Sequence, residues 1–223
     1  MKFTTERPYF WLFATLAFVG LGADQASKYV VFARLYPADN TQVTRAVGIP
    51  DWFDLQTGYT FKRDPGNEPL SFLRTISGER LPHVNKGALF GIGNADDETG
   101  GMNGLFLGIS LAAAVFIVFW VSRPSVARDR WLCFALGLIL SGTLGNLYDR
   151  VVFSGVRDFL HCYYVTPEKV HVWPDFNIAD CCLVTGACVL LVHSFFAKDP
   201  AAEPAKTAEA AAPVPTTAPT PSA

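Results

Sequence analysis

Four apolar stretches, each long enough to cross a bilayer, leave this 223-residue chain few ways to fold. A crossing needs about 17–25 residues, and in lipid the backbone must satisfy its own hydrogen bonds, which a helix does. The stretches run from about Tyr9 to Phe32, Gly104 to Val121, Trp131 to Leu147 and Ile178 to Phe196. Half of the residues are hydrophobic and 17% are charged, whereas soluble domains carry roughly a quarter charged. The expected fold is an all-α membrane protein with four transmembrane helices. The first stretch has a charged start, as a secretory signal does, but its apolar part is long and no clean A-x-A site follows. It reads as a retained span. A net charge of −2 offers no basic surface for nucleic acid. The five cysteines contain no C-x-x-C pair, so neither a zinc knuckle nor a disulfide framework is indicated.

Positive charge in the short connecting segments sets the expected orientation. Lys2 and Arg7 precede the first span; Arg123, Arg128 and Arg130 link the second and third; Lys198 follows the fourth. All three segments share one side, which the positive-inside rule makes the cytoplasm. The segment 35–103 then lies outside. It mixes Pro, Gly, Thr and alternating aromatics, as in Trp52-Phe53-Asp54-Leu55, and reads as short strands on the membrane surface, a small periplasmic β-rich unit. Residues 1–199 form one membrane domain, and 200–223, rich in Ala, Pro and Thr, read as a disordered cytoplasmic tail.

Ionisable groups at membrane depth are costly and mark function by default. Asp24, Lys28, Asp149, Arg150 and Asp180 fall at or near the outer ends of spans, and Asp158 follows the third. Asn146 lies three and four residues before Asp149 and Arg150, on one helix face, and Asn177 and Asp180 share another. Small residues at Gly137, Gly142, Gly145, Ala179 and Gly186 let helices approach closely. Two carboxylates at one site can share a proton: the ionised one draws a proton from water, the other hydrogen-bonds a carbonyl. Ion pairing alone also accounts for Asp24 with Lys28 and Asp149 with Arg150, and spacing leaves the same alternative open for Asp158 and Asp180. His83, His161, His171 and His193 make no metal spacing and read as surface or interfacial. A proton-coupled transporter would need polar residues through the bilayer depth, yet the second span has only Ser110.

Five strings in order carry a resemblance. They are Asp24-Gln-Ala-Ser-Lys28, Asn85-Lys-Gly-Ala-Leu-Phe90, Gly145-Asn-Leu-Tyr-Asp-Arg150, Val156-Arg-Asp-Phe159 and Phe176-Asn-Ile-Ala-Asp180. Each alone is weak; together, on four spans, they resemble the lipoprotein signal peptidase family, which are membrane aspartic endopeptidases. The resemblance implies a catalytic pair at Asp158 and Asp180, polar support from Asn85, Asn146, Asp149, Arg150 and Asn177, and structural weight on Asp24 and Lys28. It implies no metal or organic cofactor. The implied substrates are prolipoproteins bearing a diacylglyceryl-modified cysteine, cut just before that cysteine at the outer face of the bacterial inner membrane. The implied partners are these substrates and membrane lipids, for a monomeric enzyme. The chain departs from the family in reading Ser141-Gly142 where a Gly-Gly pair is usual, and in a longer segment between Asp24 and Asn85.

Overall fold

In a computed structural model of the chain, the described residues are 7–39, 41–87 and 101–196. The tail 200–223 and the end of the Asn85–Phe90 string lie outside them. Four long helices dominate: α1 (Phe10–Arg34), α3 (Gly101–Val121), α5 (Arg130–Phe153) and α6 (Ile178–Phe196). At 1.5 Å per residue they measure about 28–38 Å, the thickness of a hydrocarbon core or more. Among the described residues α3, α5 and α6 are long and apolar enough to cross a membrane. α1 is as long, but Asp24, Gln25 and Lys28 interrupt its apolar run.

α5 is the central helix. It packs against α1, α3 and α6 and buries Cys133, Ala135, Leu136, Leu140 and Ser141 together with its glycines. The outward faces of the others stay apolar: Ile109, Val115, Phe116 and Phe119 on α3, and Val184, Leu191, Val192 and Phe195 on α6, are each at least half exposed. That inside-out pattern suits lipid. Asp129 caps α5 by accepting from the Trp131 and Leu132 amides at 2.9 and 3.0 Å. It also pairs with His193 of α6 at 2.8 Å, tying the end of one helix to the start of another.

Close approach of α5 and α6 rests on Gly142. A Cβ there would press on the Ala179 carbonyl oxygen of α6, a backbone atom that cannot swing aside. Gly142→Ala is therefore expected to lower stability by about 1–3 kcal/mol, the usual cost of overpacking, read as a lower melting temperature in detergent. An unchanged melt would show that α6 can slide away at no cost.

The apolar runs understate three helices, α3 by its first three residues, Gly101 rather than Gly104 being its start. α1 ends at Arg34, beyond Phe32, and α5 continues to Phe153, beyond Leu147. The polar residues that seemed to close the third span, Asn146, Asp149 and Arg150, are inside α5 and turned toward its neighbours. The helix stops at Ser154, whose φ of 58° is left-handed.

Between the helices lies a small antiparallel sheet: β1 (Val43–Ile49), β2 (Phe53–Arg63), β3 (Arg80–Pro82), β4 (Leu160–Val165) and β5 (Val170–Val172). The strand order is β1-β2-β4-β5, with β3 also on β2. The strands expected within 35–103 are there. β4 and β5, from the stretch between α5 and α6, were not expected; β4 docks on β2 with Phe53 opposite Cys162 and Leu55 opposite Leu160, and β5 pairs with β4. Two short helices, α2 (Ser71–Arg74) and α4 (Pro124–Ala127), complete the order. Phe32, Tyr59 and Phe159 join α1 to the sheet in a buried cluster, and the Tyr59 hydroxyl donates to the Phe32 carbonyl at 2.6 Å.

Candidate active site

The N-terminus of α6 places the first carboxylate. Asn177 precedes the first helical residue. Its side-chain oxygen accepts from the Asp180 amide at 3.2 Å, while the Asp180 carboxylate accepts from the Asn177 amide at 3.1 Å. This reciprocal capping box fixes Asp180 in the first turn. Asp180 takes a second bond, from Asn146 Nδ2 of α5 at 2.8 Å.

The second carboxylate, Asp158, stands between α5 and β4. Its strand neighbours hold the backbone: Val156 bridges Asn85, and Leu160 bridges Phe176. Asp158 accepts from Asn85 Nδ2 at 3.1 Å and from Asn177 Nδ2 at 2.7 Å. Asn177 thus touches both aspartates, one through its side chain and one through its backbone, and its Nδ2 also reaches Asn146 Oδ1 at 3.2 Å. Burial, helped by the negative charge of Asp180, pushes the Asp158 carboxyl up to about 7; the bonds from Asn85 and Asn177 and the charge of Lys28 oppose this.

Beneath the pair lies a fully buried charge cluster. Lys28 contacts Asp24 at 2.9 Å and Asp149 at 3.2 Å, all three with 0% of the side chain exposed. Arg157 closes the set. Its guanidinium reaches Asp149 at 2.9 and 3.3 Å and Gln25 at 2.9 Å, and its amide donates to Asp149 at 2.9 Å. Two acids and two bases balance. Asp24 also accepts from the Ala179 amide at 2.9 Å, bringing negative charge to the N-terminus of α6. Gly145 makes this possible, since a Cβ there would sit 2.5 Å from Asp24 Oδ2.

The expected site residues therefore divide. Asn85, Asn146, Asp158, Asn177 and Asp180 form one hydrogen-bonded constellation. Asp24, Lys28 and Asp149 form the charge cluster below, touching the constellation where Lys28 donates to Asn146 at 3.4 Å. Asp149 pairs with Arg157, not with its sequence neighbour Arg150, because adjacent helical residues point apart. Arg150 instead donates to the Gly87 carbonyl at 3.3 Å and the Asn103 side chain at 3.4 Å, and packs over Phe106. It braces the turn after Asn85, whose Oδ1 accepts from the Gly87 amide at 3.0 Å. Arg157 and Gln25 were not singled out, although both lie within the motif strings; their role depends on partners 132 residues apart. His161, read as surface or interfacial, is buried on β4 against Asp175.

The fold and site define a class: a helical membrane protein that presents a pair of aspartates, held by asparagines, where its helices meet a small sheet. The family model described as signal peptidase (SPase) II matches residues 79–196, a stretch that includes Asn85, Asn146, Asp149, Arg150, Asp158, Asn177 and Asp180. A lipoprotein signal peptidase from an Anaeromyxobacter species is 33% identical over 196 residues, covering 85% of this chain and 88% of its own. That of Rhodopirellula baltica is 45% identical over 123 residues, 50% of this chain and 51% of its own. The chain belongs to the signal peptidase II family. It spans 51–62% of the length of several such relatives. A solved structure of a bacterial membrane enzyme shares the fold, with a TM-score of 0.57 at 20% identity over 83% of this chain and 88% of that one.

Proposed function

We propose that this chain is a membrane aspartic endopeptidase that removes the signal peptide from diacylglyceryl-modified prolipoproteins, cutting just before the lipidated cysteine. The observation that carries this reading is Asn177, which bonds Asp158 and Asp180 at once and sets two carboxylates around one site. Two carboxylates at one site can share a single proton between them, and the reading requires that they do. In this reading the proton is on Asp158, whose carboxyl burial pushes up to about 7. Asp180 takes a proton from water as the water oxygen attacks the scissile carbonyl carbon. Asp158 donates its hydrogen bond, then its proton, to the carbonyl oxygen. Collapse of the tetrahedral intermediate breaks the C–N bond: the nitrogen leaves as the amine with the proton that Asp180 took, while a hydroxyl of the intermediate returns a proton to Asp158 as the new carboxyl forms. No metal or organic cofactor enters this chemistry.

All four long helices, α1 included, cross the inner membrane in this reading. The burial of Asp24 and Lys28, with half-buried Gln25 bonded to the Gly145 carbonyl of α5, supports it, because the polar side chains of α1 then meet protein rather than lipid. Both termini are cytoplasmic and the aspartates open to the outer face, where water is available and the substrate's lipid keeps the cysteine at the interface. The enzyme acts as a monomer on substrates that reach it through the membrane lipids.

Arg150 supports the site without touching the reacting atoms. Two of its nitrogens, held apart in one planar fork, reach two different partners, Gly87 and Asn103, a spacing that the single nitrogen of an ammonium does not reproduce. Arg150→Lys is expected to lower turnover of a lipid-modified precursor about tenfold, the size of one lost charged hydrogen bond, with the melt unchanged. Turnover near wild type would make Arg150 a charge that anchors the helix to headgroups.

A further inference from the structure

We infer that Asp175, gripped by His161 and Gln56, is a positioning residue that sets the geometry of the aspartate pair through Asn177. The inference rests on the reading of Asp158 and Asp180 as the catalytic pair. The strand segment through Leu160 runs beside the segment through Phe176. Leu160 and Phe176 exchange backbone bonds at 2.9 and 3.2 Å, and the Phe159 amide adds a third at 3.1 Å. A side-chain pair flanks this bridge on each side. Inward is Asp158 with Asn177, at 2.7 Å; outward is His161 with Asp175, Nδ1 to Oδ1 at 2.6 Å.

The outward pair is built like a clamp. The other oxygen of Asp175 accepts from Gln56 Nε2 at 3.2 Å, and the Gln56 amide donates to the Phe159 carbonyl at 2.9 Å. Asp175 is thus held from β4 by one oxygen and from β2 by the other. The imidazole is shielded, with 7% of its side chain exposed; Asp175 keeps 32%. Asp54 stands opposite His161 across the strands, and the Tyr163 ring lies 5.5 Å from the imidazole. Two residues after Asp175 comes Asn177, which caps α6 and bonds both aspartates. Freeing Asp175 frees the residue that aligns Asp158 with Asp180, and misplacement of about 1 Å can cost on the order of a hundredfold in rate.

A clamp and a mere brace differ in what they do to the pH profile. The groups that face Asp158 are Asp180 of α6, Lys28 of α1 and Arg150 of α5. The Asn177 bond favours the ionised form of Asp158. Weakening it moves the upper limb of the kcat profile to higher pH. Loss of folded protein scales the profile without moving it.

The test uses the full chain in detergent with a lipid-modified precursor, alongside Asp158→Asn. For Asp175→Ala we expect kcat to fall about tenfold or more with KM little changed, and the upper limb to move up. His161→Ala should behave alike, and the double variant should be no worse than either single. Asp175→Asn should recover most of the turnover, because its oxygen still accepts from His161 and Gln56 can turn its own amide oxygen toward the new NH2. If Asp175→Ala does not fold, His161→Ala and Gln56→Ala read the same clamp from the two strands. An inactive Asp158→Asn beside a fully active Asp175→Ala, or a profile merely scaled down, overturns the clamp alone. Normal turnover by Asp158→Asn overturns the clamp and the catalytic reading together.

Discussion

Asp158→Asn and Asp180→Asn are each expected to abolish measurable cleavage of a lipid-modified precursor while the protein still folds. The amide keeps the shape of the carboxylate but can neither take a proton from water nor pass one to the leaving nitrogen. General acid–base steps contribute about 10²–10⁴-fold. Because the two groups act through one shared proton, the double variant should be no slower than either single. The structural cost is small. In Asp158→Asn one NH2 would face a donor, either Asn85 or Asn177, a loss of about 1–3 kcal/mol. Release of signal peptide should therefore be normalised to folded protein from a thermal melt. Retention of turnover within about tenfold of wild type by either variant would remove it from the pair.

The same pair sets the pH dependence. Activity needs one proton on two carboxylates, so it falls at low pH when the second proton binds and at high pH when the shared one leaves. The upper limb of kcat/KM, which reports the free enzyme, belongs to the Asp158 carboxyl at about 7. For folding the sign is the same. A carboxyl whose folded value is raised favours the native state most below its unfolded value of about 3.9. That contribution is lost as pH rises through about 7.

How far these features were legible depends on the range of the interaction. The long helices were readable as apolar runs because lipid imposes length and hydropathy on each segment separately. Asn177 and Asp180 were readable as neighbours because a capping box is a local object, three residues wide. Asp24 with Lys28 was readable for the same reason, one helical turn apart. Arg157 was not. It sits beside Asp158 and finds Asp149 eight residues back only because α5 ends at Ser154 and the chain doubles over it. Hydropathy also placed the end of α5 too early, since a run of polar residues looks alike whether it faces water or a buried partner. β4 escaped notice because a strand pairing depends on its acceptor, here β2, more than 100 residues earlier, and β5, three residues long, follows it only as the far side of a hairpin. His161 was misread for that reason too: nothing local reveals that β2 and Asp175 will cover it.

Asp149→Ala is expected to be the most damaging change in the charge cluster, and the damage should be to stability. Asp149 is the anion that two cations share. One oxygen accepts from the Arg157 guanidinium and Gln25; the other accepts from the Arg157 amide and contacts Lys28. Without it, Lys28 and Arg157 are left with Asp24 as the remaining acid, all of them fully or almost fully buried. Removing one partner of a buried pair costs about 3–5 kcal/mol, because the other charge stays behind without compensation. Arg157 adds a demand of its own, since its guanidinium is packed over Phe153 at 3.9 Å and Tyr29 at 4.3 Å and has little room to swing toward water. The expected outcome is a large fall in yield and melting temperature in detergent, well beyond that of Arg150→Ala, although Arg150 is the closer neighbour in sequence. A second substitution separates charge imbalance from lost packing. Arg157→Met in the Asp149→Ala background restores neutrality around Asp24 and Lys28 and keeps an apolar stem against the two rings. Part of the lost stability should return, giving a non-additive cycle of the kind expected for groups in direct contact. If Asp149→Ala melts with the wild type, or if Arg157→Met adds its own full loss to it, the cluster is not the buried charge balance that its geometry describes.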